Sequence, residues 1–143
     1  MKIIAPTAIA LMLLLPFSAY AEETQMVPIE EFLKGENSGK DEFGDAAKQF
    51  VGLRCGSLYL ILSQYGKDNG MADKGENFKR AADVAFEMAQ SVKPYNEKYV
   101  LAQIEMIIDG YTTRWLKAMA MTGNFSDDQI IKSDMNICGR LFK

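Results

Sequence analysis

The chain has 143 residues with 19 acidic and 16 basic side chains, which gives a formal net charge of −3 at neutral pH. Nucleic-acid binding calls for a basic stripe, so this balance argues against a nucleic-acid partner. The sequence contains no histidine, and histidine is the one side chain whose unperturbed pKa lies near neutrality. We therefore expect no metal, no cofactor and no imidazole-based catalysis.

The N-terminus has the organisation of a secretory leader. Lys2 precedes the apolar run 3–17, and residues 18–21 read Ser-Ala-Tyr-Ala, a small-x-small pattern of the kind that signal peptidase accepts. We predict that residues 1–21 are a signal peptide cleaved before Glu22, with an uncleaved anchor as the alternative. The apolar run is shorter than the roughly 20 residues of a membrane helix. We expect no transmembrane anchor after cleavage, and a periplasmic or secreted location.

The mature chain shows helical periodicity almost throughout. Residues 22–41 are predicted to be a flexible lead-in with one helical turn near Ile29 to Leu33, and residues 42–143 a single helical domain. The first long helix is predicted from Asp41 to Gln64 or Tyr65, where Gly66 stops it. Its apolar residues recur at steps of three and four: Phe43, Ala47, Phe50, Val51, Leu58, Ile61, Leu62 and Tyr65.

Two further long helices follow. One is predicted to begin near Asp73, where Asp73 and Glu76 have the spacing of a capping pair, and to end at Val92 or Lys93. The next is predicted to run from Pro94, which the first turn of a helix tolerates, to Met121. It has the broadest apolar surface, so we expect it to be the central helix. Its inward face comprises Val100, Ile104, Ile107, Tyr111, Trp115 and Ala118.

The last helix follows a turn at Gly123. Ser126 is predicted to be its N-cap, with Gln129 three residues later completing the cap. Its apolar residues Ile130, Ile137 and Leu141 are predicted to face inward together with Cys138. No alternating strand pattern is present. The sequence thus predicts an all-α fold, a compact bundle of four main helices.

Cys55 and Cys138 are the only cysteines. In an oxidising compartment two buried helical thiols that face one core are expected to pair, and this bond would join the first and last long helices. The loop it closes is worth roughly 4 to 5 kcal/mol in the chain-entropy model. The alternative is a redox-active or metal-binding thiol beside Arg54, but the sequence has no Cys-x-x-Cys element.

The disulfide would bring two charged residues together. Arg54 lies on an apolar stripe next to Cys55, and Asp134 lies one turn before Cys138. We predict an Arg54–Asp134 ion pair that fixes helix register, because removal of one partner from a buried pair is strongly destabilising. The alternative is that both side chains reach solvent at the edges of their stripes.

No catalytic constellation is evident. Glu105 and Asp109 share a helix face, but without histidine they are better explained as solvated helix charges than as a metal site. Aromatic residues at helical spacing could line an apolar pocket, although such residues usually belong to the core: Tyr95, Tyr99, Tyr111 and Trp115.

The runs 54–59 (Arg-Cys-Gly-Ser-Leu-Tyr) and 134–138 (Asp-Met-Asn-Ile-Cys) resemble a pattern in small, uncharacterised secreted helical proteins of Gram-negative bacteria. That resemblance implies export and implies no activity. In architecture the chain is also similar to periplasmic acid-stress chaperones and immunity proteins. We expect a non-enzymatic periplasmic protein that binds an envelope protein or a small apolar ligand. The alternatives are an acid or envelope-stress chaperone, and a hydrolase-type enzyme that uses carboxylates without histidine.

Overall fold

The computed structural model describes residues 26–36 and 44–142. These residues form five α-helices and one 3₁₀ turn, and no strand occurs among them. The predicted cleavage site and part of the lead-in lie outside the described residues. The helices are α1 (Ile29–Glu36), α2 (Asp45–Asp68), α3 (Ala72–Gln90), α4 (Glu97–Thr122) and α5 (Gln129–Leu141), and the 3₁₀ turn (Phe125–Asp127) lies between α4 and α5. The prediction of an all-α fold with four main helices is confirmed.

The central helix is α2, and the prediction that α4 would be central is wrong. Every residue from Val51 to Tyr59 is buried, on all sides of α2, whereas α4 buries only Val100, Tyr111 and Ala118. Helices α3, α4 and α5 all pack on α2, and the described residues of α3 and α4 make no close backbone approach to each other. The broad apolar surface of α4 is therefore only partly used for core formation.

Glycines explain how α2 can be covered so closely by α3. A Cβ atom on Gly52 would lie 2.6 Å from the carbonyl oxygen of Ala85, and one on Gly56 would lie 2.5 Å from the ring of Phe86. Both distances are shorter than van der Waals contact, so only glycine permits this separation between the helices. Small residues on α3, including Ala82, Ala85 and Ala89, form the facing surface and are completely buried.

The boundary between α2 and α3 differs from its prediction. Helix α2 continues past Gly66 to Asp68, because Gly66 packs against Gly75 of α3, whose backbone nitrogen would lie 3.0 Å from a Cβ at position 66. Helix α3 begins at Ala72 without a side-chain cap. The expected Asp73–Glu76 capping pair is therefore wrong. The amide of Gly75 instead donates to the carbonyl of Met71 at 2.9 Å.

Helix α4 begins three residues later than predicted. Helix α3 ends at Gln90, and the peptide bond between Lys93 and Pro94 is cis. The carboxamide of Asn96 caps α4 by accepting a hydrogen bond from the amide of Tyr99 at 3.0 Å. This cap satisfies an amide of the first turn that has no partner within the helix, and it places the start at Glu97.

The start of α5 also differs from its prediction. Ser126 lies in the 3₁₀ turn, where its amide donates to the side chain of Asn124 at 3.1 Å. The N-cap is Asp128, whose carboxylate accepts from the amides of Ile130 and Ile131, both at 3.0 Å. A carboxylate at this position satisfies two free amides and interacts favourably with the helix dipole. The predicted serine cap is therefore wrong by two residues.

The segment expected to be a flexible lead-in contains helix α1. Ile29 is completely buried, and Phe32 stacks on Phe50 of α2 with ring centroids 3.8 Å apart. A helix of two turns is not stable in water by itself, so α1 owes its order to these contacts. The main core cluster accordingly includes residues from α1, α2, α3, α4 and α5.

Candidate functional site: the Arg54 cluster and the exposed surface of α4

A disulfide joins Cys55 in the middle of α2 to Cys138 near the end of α5. The S–S distance is 2.03 Å, the Cα atoms are 5.5 Å apart, and both residues are completely buried. The bond fixes α5 beside the central helix. It also determines which side chains of the two helices meet.

The structure brings Arg54 and Asp134 into contact beside this disulfide. Arg54 Nη2 donates to Asp134 Oδ2, and both side chains are almost entirely shielded from solvent. Tyr111 of α4 completes the group: its hydroxyl donates to Asp134 Oδ2 at 2.5 Å and accepts from Arg54 Nε at 3.0 Å. Three helices thus contribute one polar side chain each to a closed buried cluster, which we call the Arg54 cluster.

The Arg54 cluster also holds the N-terminal segment by its backbone. Asp134 Oδ1 accepts from the amide of Ile29 at 2.8 Å, and Arg54 Nη1 donates to the carbonyl of Val27 at 3.0 Å. Ile29 is the first residue of α1, whose first-turn amides lack partners within the helix. Asp134 therefore caps α1 from a different helix. The same carboxylate binds the guanidinium group that holds the preceding backbone.

Burial and ion pairing have opposite effects on the pKa of Arg54. Burial alone would lower its pKa, but its interactions with Tyr111 and Asp134 raise the pKa above its ordinary value. Burial raises the pKa of Tyr111 far above its ordinary value, and the neighbouring Asp134 carboxylate adds to this effect. Arg54 therefore stays charged and Tyr111 stays neutral at physiological pH.

The contacts of the Arg54 cluster indicate a structural role. Each nitrogen of the guanidinium group has an acceptor, and both carboxylate oxygens of Asp134 have donors. A general acid or base must be able to reach a substrate proton, and here the acceptor oxygens are shielded and already bonded within the chain. Such a network fixes the relative positions of α1, α2, α4 and α5.

Three residues of this network are not evident from the sequence: Tyr111, Val27 and Ile29. The periodicity places Tyr111 on the apolar face of α4, and no pattern points to the backbone groups of Val27 and Ile29. A tyrosine hydroxyl in a core nearly always finds a partner, so the inward position of Tyr111 is the signal that could have identified it. The backbone groups give no signal in the sequence, because every residue has them.

The other candidate residues do not converge on a site. Glu105 and Asp109 are exposed on α4, and no cluster of three or more metal-binding side chains occurs in the described ranges. Trp115 is partly buried and stacks on Phe125 with ring centroids 3.7 Å apart. Tyr111 belongs to the Arg54 cluster instead of an aromatic pocket. The predicted aromatic residues are therefore distributed over separate parts of the structure.

The two best-formed depressions among the described residues are open to solvent. One of about 400 Å³ lies along α5 beside Glu30 and is lined mainly by polar side chains. The other, of about 340 Å³, surrounds the turn at residues 70–74 between α2 and α3. Small-molecule sites usually enclose most of the ligand surface in an apolar cavity. Neither depression has that form.

The main unexplained feature of the surface is α4. Six large apolar side chains project from it into solvent, and none of them packs against the core clusters described. They are Tyr99, Leu101, Met106, Leu116, Met119 and Met121, with between 36% and 74% of their surface exposed. At 100° per residue the six side chains form two groups on different sides of the helix: Leu101, Leu116 and Met119 on one side, and Tyr99, Met106 and Met121 on the other. Single exposed apolar residues are common, whereas apolar residues that share one side of a helix are candidates for a contact surface.

In the part of the chain that the structure describes, no helix is long and apolar enough to cross a membrane. Comparison of the chain with protein-family models, with curated proteins and with solved structures finds no significant match.

Proposed function

We propose that the protein is an exported, non-enzymatic binding protein that presents the apolar surface of α4 to a macromolecular partner. It acts in the periplasm or outside the cell. The observation that carries this proposal is the exposure of Leu101, Leu116 and Met119 on one side of α4.

The chemistry of the exposed residues supports a macromolecular partner over a small ligand. A small apolar ligand needs a cavity that encloses it, whereas the α4 residues lie along a convex helix surface. Protein interfaces are enriched in aromatic residues and methionine, and unbranched methionine side chains adapt to partners of different shape. Four of the six exposed residues on α4 are tyrosine or methionine.

The disulfide and the leader support an exported location. Disulfides persist in the periplasm and outside the cell and are rare in the cytosol. The predicted cleavage before Glu22 leaves four residues before Met26, the first residue described. Val27, whose carbonyl accepts a hydrogen bond from Arg54, is the sixth residue of the predicted mature chain.

Site-specific photo-crosslinking tests the proposed function. A photoreactive amino acid replaces Leu116 in the exported protein, and Glu76 on the exposed side of α3 serves as the matched control position. We expect a discrete adduct at position 116 that is absent at position 76 and that disappears when Leu101 is also changed to lysine. Adduct formation at neither position, or at both positions equally, would contradict the proposal.

A further inference from the structure

The Arg54 cluster holds the first and last helices of the described chain together. Asp134 of α5 accepts a hydrogen bond from the amide of Ile29 at the start of α1, and the same carboxylate pairs with Arg54 of α2. Among the described residues, the backbone of α1 closely approaches only α2 and α5. The position of α1 therefore depends on where α5 lies.

The position of α5 depends in turn on the disulfide. Helix α1 has 8 residues and α5 has 13, and helices of about 12 to 15 residues or fewer are marginal in water without packing. The bond from Cys138 to Cys55 keeps α5 beside α2 whether or not its other contacts are formed. Without the bond, α5 is held by noncovalent contacts alone, chiefly those of its buried residues Ile131, Asp134 and Ile137.

Helices α2, α3 and α4 hold one another through contacts that use neither α1 nor α5. Val100 of α4 packs in the second core cluster with Leu53 of α2 and Ala89 of α3, and the described members of that cluster all lie between residues 53 and 107. Farther along α4, the ring of Trp115 lies 5.1 Å from the ring of Tyr65 of α2. These contacts can persist when α1 and α5 leave, as in the local unfolding of other proteins.

We propose that the Cys55–Cys138 disulfide is a redox switch, whose reduction releases α1 and α5 together from α2 while α2, α3 and α4 stay packed. The closed form belongs to an oxidising compartment, and a dithiol reductant converts it to the open form. One thiolate of the dithiol attacks the disulfide, and the second thiol then closes the dithiol's own disulfide. Two electrons pass to the protein, its S–S bond breaks, and Cys55 and Cys138 each end as a thiol. The switch goes beyond the proposed function and does not use the exposed surface of α4.

The open form exposes a side of α2 that the closed form covers. In the closed form Phe50 of α2 stacks on Phe32 of α1, and Tyr59 of α2 meets the ring of Phe142, which follows α5, at a centroid distance of 6.5 Å. Departure of α1 and α5 uncovers Phe50 and Tyr59 together with Cys55. Reduction thus gives the protein an apolar surface of the kind that binds other molecules.

Amide hydrogen exchange of the full mature protein, with and without an excess of dithiothreitol, tests the switch directly. We expect the amides of Ile29 and of the middle of α5 to exchange about tenfold or more faster after reduction, because both helices then open locally. Amides in the middle of α3, such as that of Ala82, should change less than about threefold. Unchanged exchange at Ile29, or equal acceleration in α3, overturns the proposal.

The disulfide equilibrium gives an independent test, because coupling between two sites is reciprocal. If the disulfide holds α1 in place, weaker docking of α1 must make the disulfide easier to reduce. The protein is equilibrated with mixtures of dithiothreitol and its oxidised form, and the free thiols are counted by alkylation and mass spectrometry. Ile29→Ala should raise the equilibrium constant for reduction about tenfold or more, since the Ile29 side chain is completely buried in the closed form and released in the open form.

Gly52→Ala is the matched control, because its effect lies between helices that stay packed in both forms. The added Cβ would lie 2.6 Å from the carbonyl oxygen of Ala85 of α3, so it should destabilise the open and closed forms alike and change the constant less than about threefold. An equal increase in Gly52→Ala and Ile29→Ala would mean that reduction unfolds the whole chain. No increase in Ile29→Ala would mean that the reduced protein stays closed. Either result overturns the proposed switch.

Discussion

Asp134→Asn is the most informative single change in this protein, because it alters the charge of the Arg54 cluster with little change in shape. The parent carboxylate accepts hydrogen bonds from Arg54, Tyr111 and Ile29. An asparagine offers only one acceptor oxygen, and its amide group is a donor. In either orientation of the amide at least one buried donor loses its acceptor. The Arg54 charge is left without a counter-ion.

The size of the effect follows from the burial of the pair. Removing one partner of a buried ion pair costs about 3 to 5 kcal/mol. A free-energy change of 1 kcal/mol shifts the melting temperature by about 4 °C in a chain of this size, so Asp134→Asn should lower Tm by about 12 to 20 °C. The matched control is Asp83→Asn, which removes the exposed Lys79–Asp83 pair, whose Asp83 side chain is 55% exposed. Exposed pairs contribute at most about 1 kcal/mol.

The assay has a local readout besides the melting curve. The Ile29 amide donates to Asp134 in the parent, so its hydrogen exchange should accelerate in Asp134→Asn more than exchange of amides in the middle of α3. Thermal unfolding by circular dichroism gives Tm, and amide exchange by NMR gives the local effect. The reasoning would be refuted if the Tm of Asp134→Asn were within about 2 °C of the parent, or if Asp83→Asn lowered Tm by the same amount. Either result would mean that the buried Arg54–Asp134 pair does not contribute as expected.

Two further predictions concern glycine packing and alkaline pH. Gly52→Ala should destabilise by about 1 to 3 kcal/mol because its Cβ would overlap the backbone of α3. Gly139→Ala should instead stabilise α5 by about 0.5 to 1 kcal/mol, because no heavy atom lies within 4 Å of the added Cβ. Urea denaturation of both variants gives the two changes in the free energy of unfolding. A similar decrease in both variants would contradict this prediction. Because burial raises the pKa of Tyr111, its contribution to stability is complete below the unfolded-state value near pH 10 and is lost as the pH rises above it. Denaturant titrations from about pH 9 to pH 11.5 should therefore show a steeper loss of stability in the parent than in Tyr111→Phe, and parallel curves would contradict this.

The sequence was most informative where a residue has few alternatives. The chain has only two cysteines, so it can form only one intramolecular disulfide. That bond places Arg54, next to Cys55, close to Asp134, one turn before Cys138. Helix boundaries were less predictable. Gly66 was expected to end α2, yet it is a point at which α2 and α3 approach closely, because glycine permits both a turn and a close contact. The caps at Asn96 and Asp128 were not predicted, because Ser, Thr, Asn and Asp are all good N-caps and several of them lie near each helix start.

The central helix could not be predicted from apolar content, because apolar content and burial are different properties. Helix α2 contains polar and small residues such as Ser57, Ser63 and Gly56, and all of them are buried. Helix α4 is rich in leucine, isoleucine and methionine, and much of that surface is exposed. Burial on all sides requires small residues that let neighbours approach, and α2 has them at Gly52, Gly56 and Gly66.

Helix α4 has more large apolar side chains than its contacts with the core use. Helix α4 packs on the core through the buried Val100, Tyr111 and Ala118 and through the partly buried Ile104, Ile107 and Trp115. Leu101, Leu116 and Met119 belong to neither core cluster described. Exposed leucine and methionine favour aggregation when nothing covers them. The exposure of these three residues on one side of α4 is therefore what supports the proposed contact with a partner.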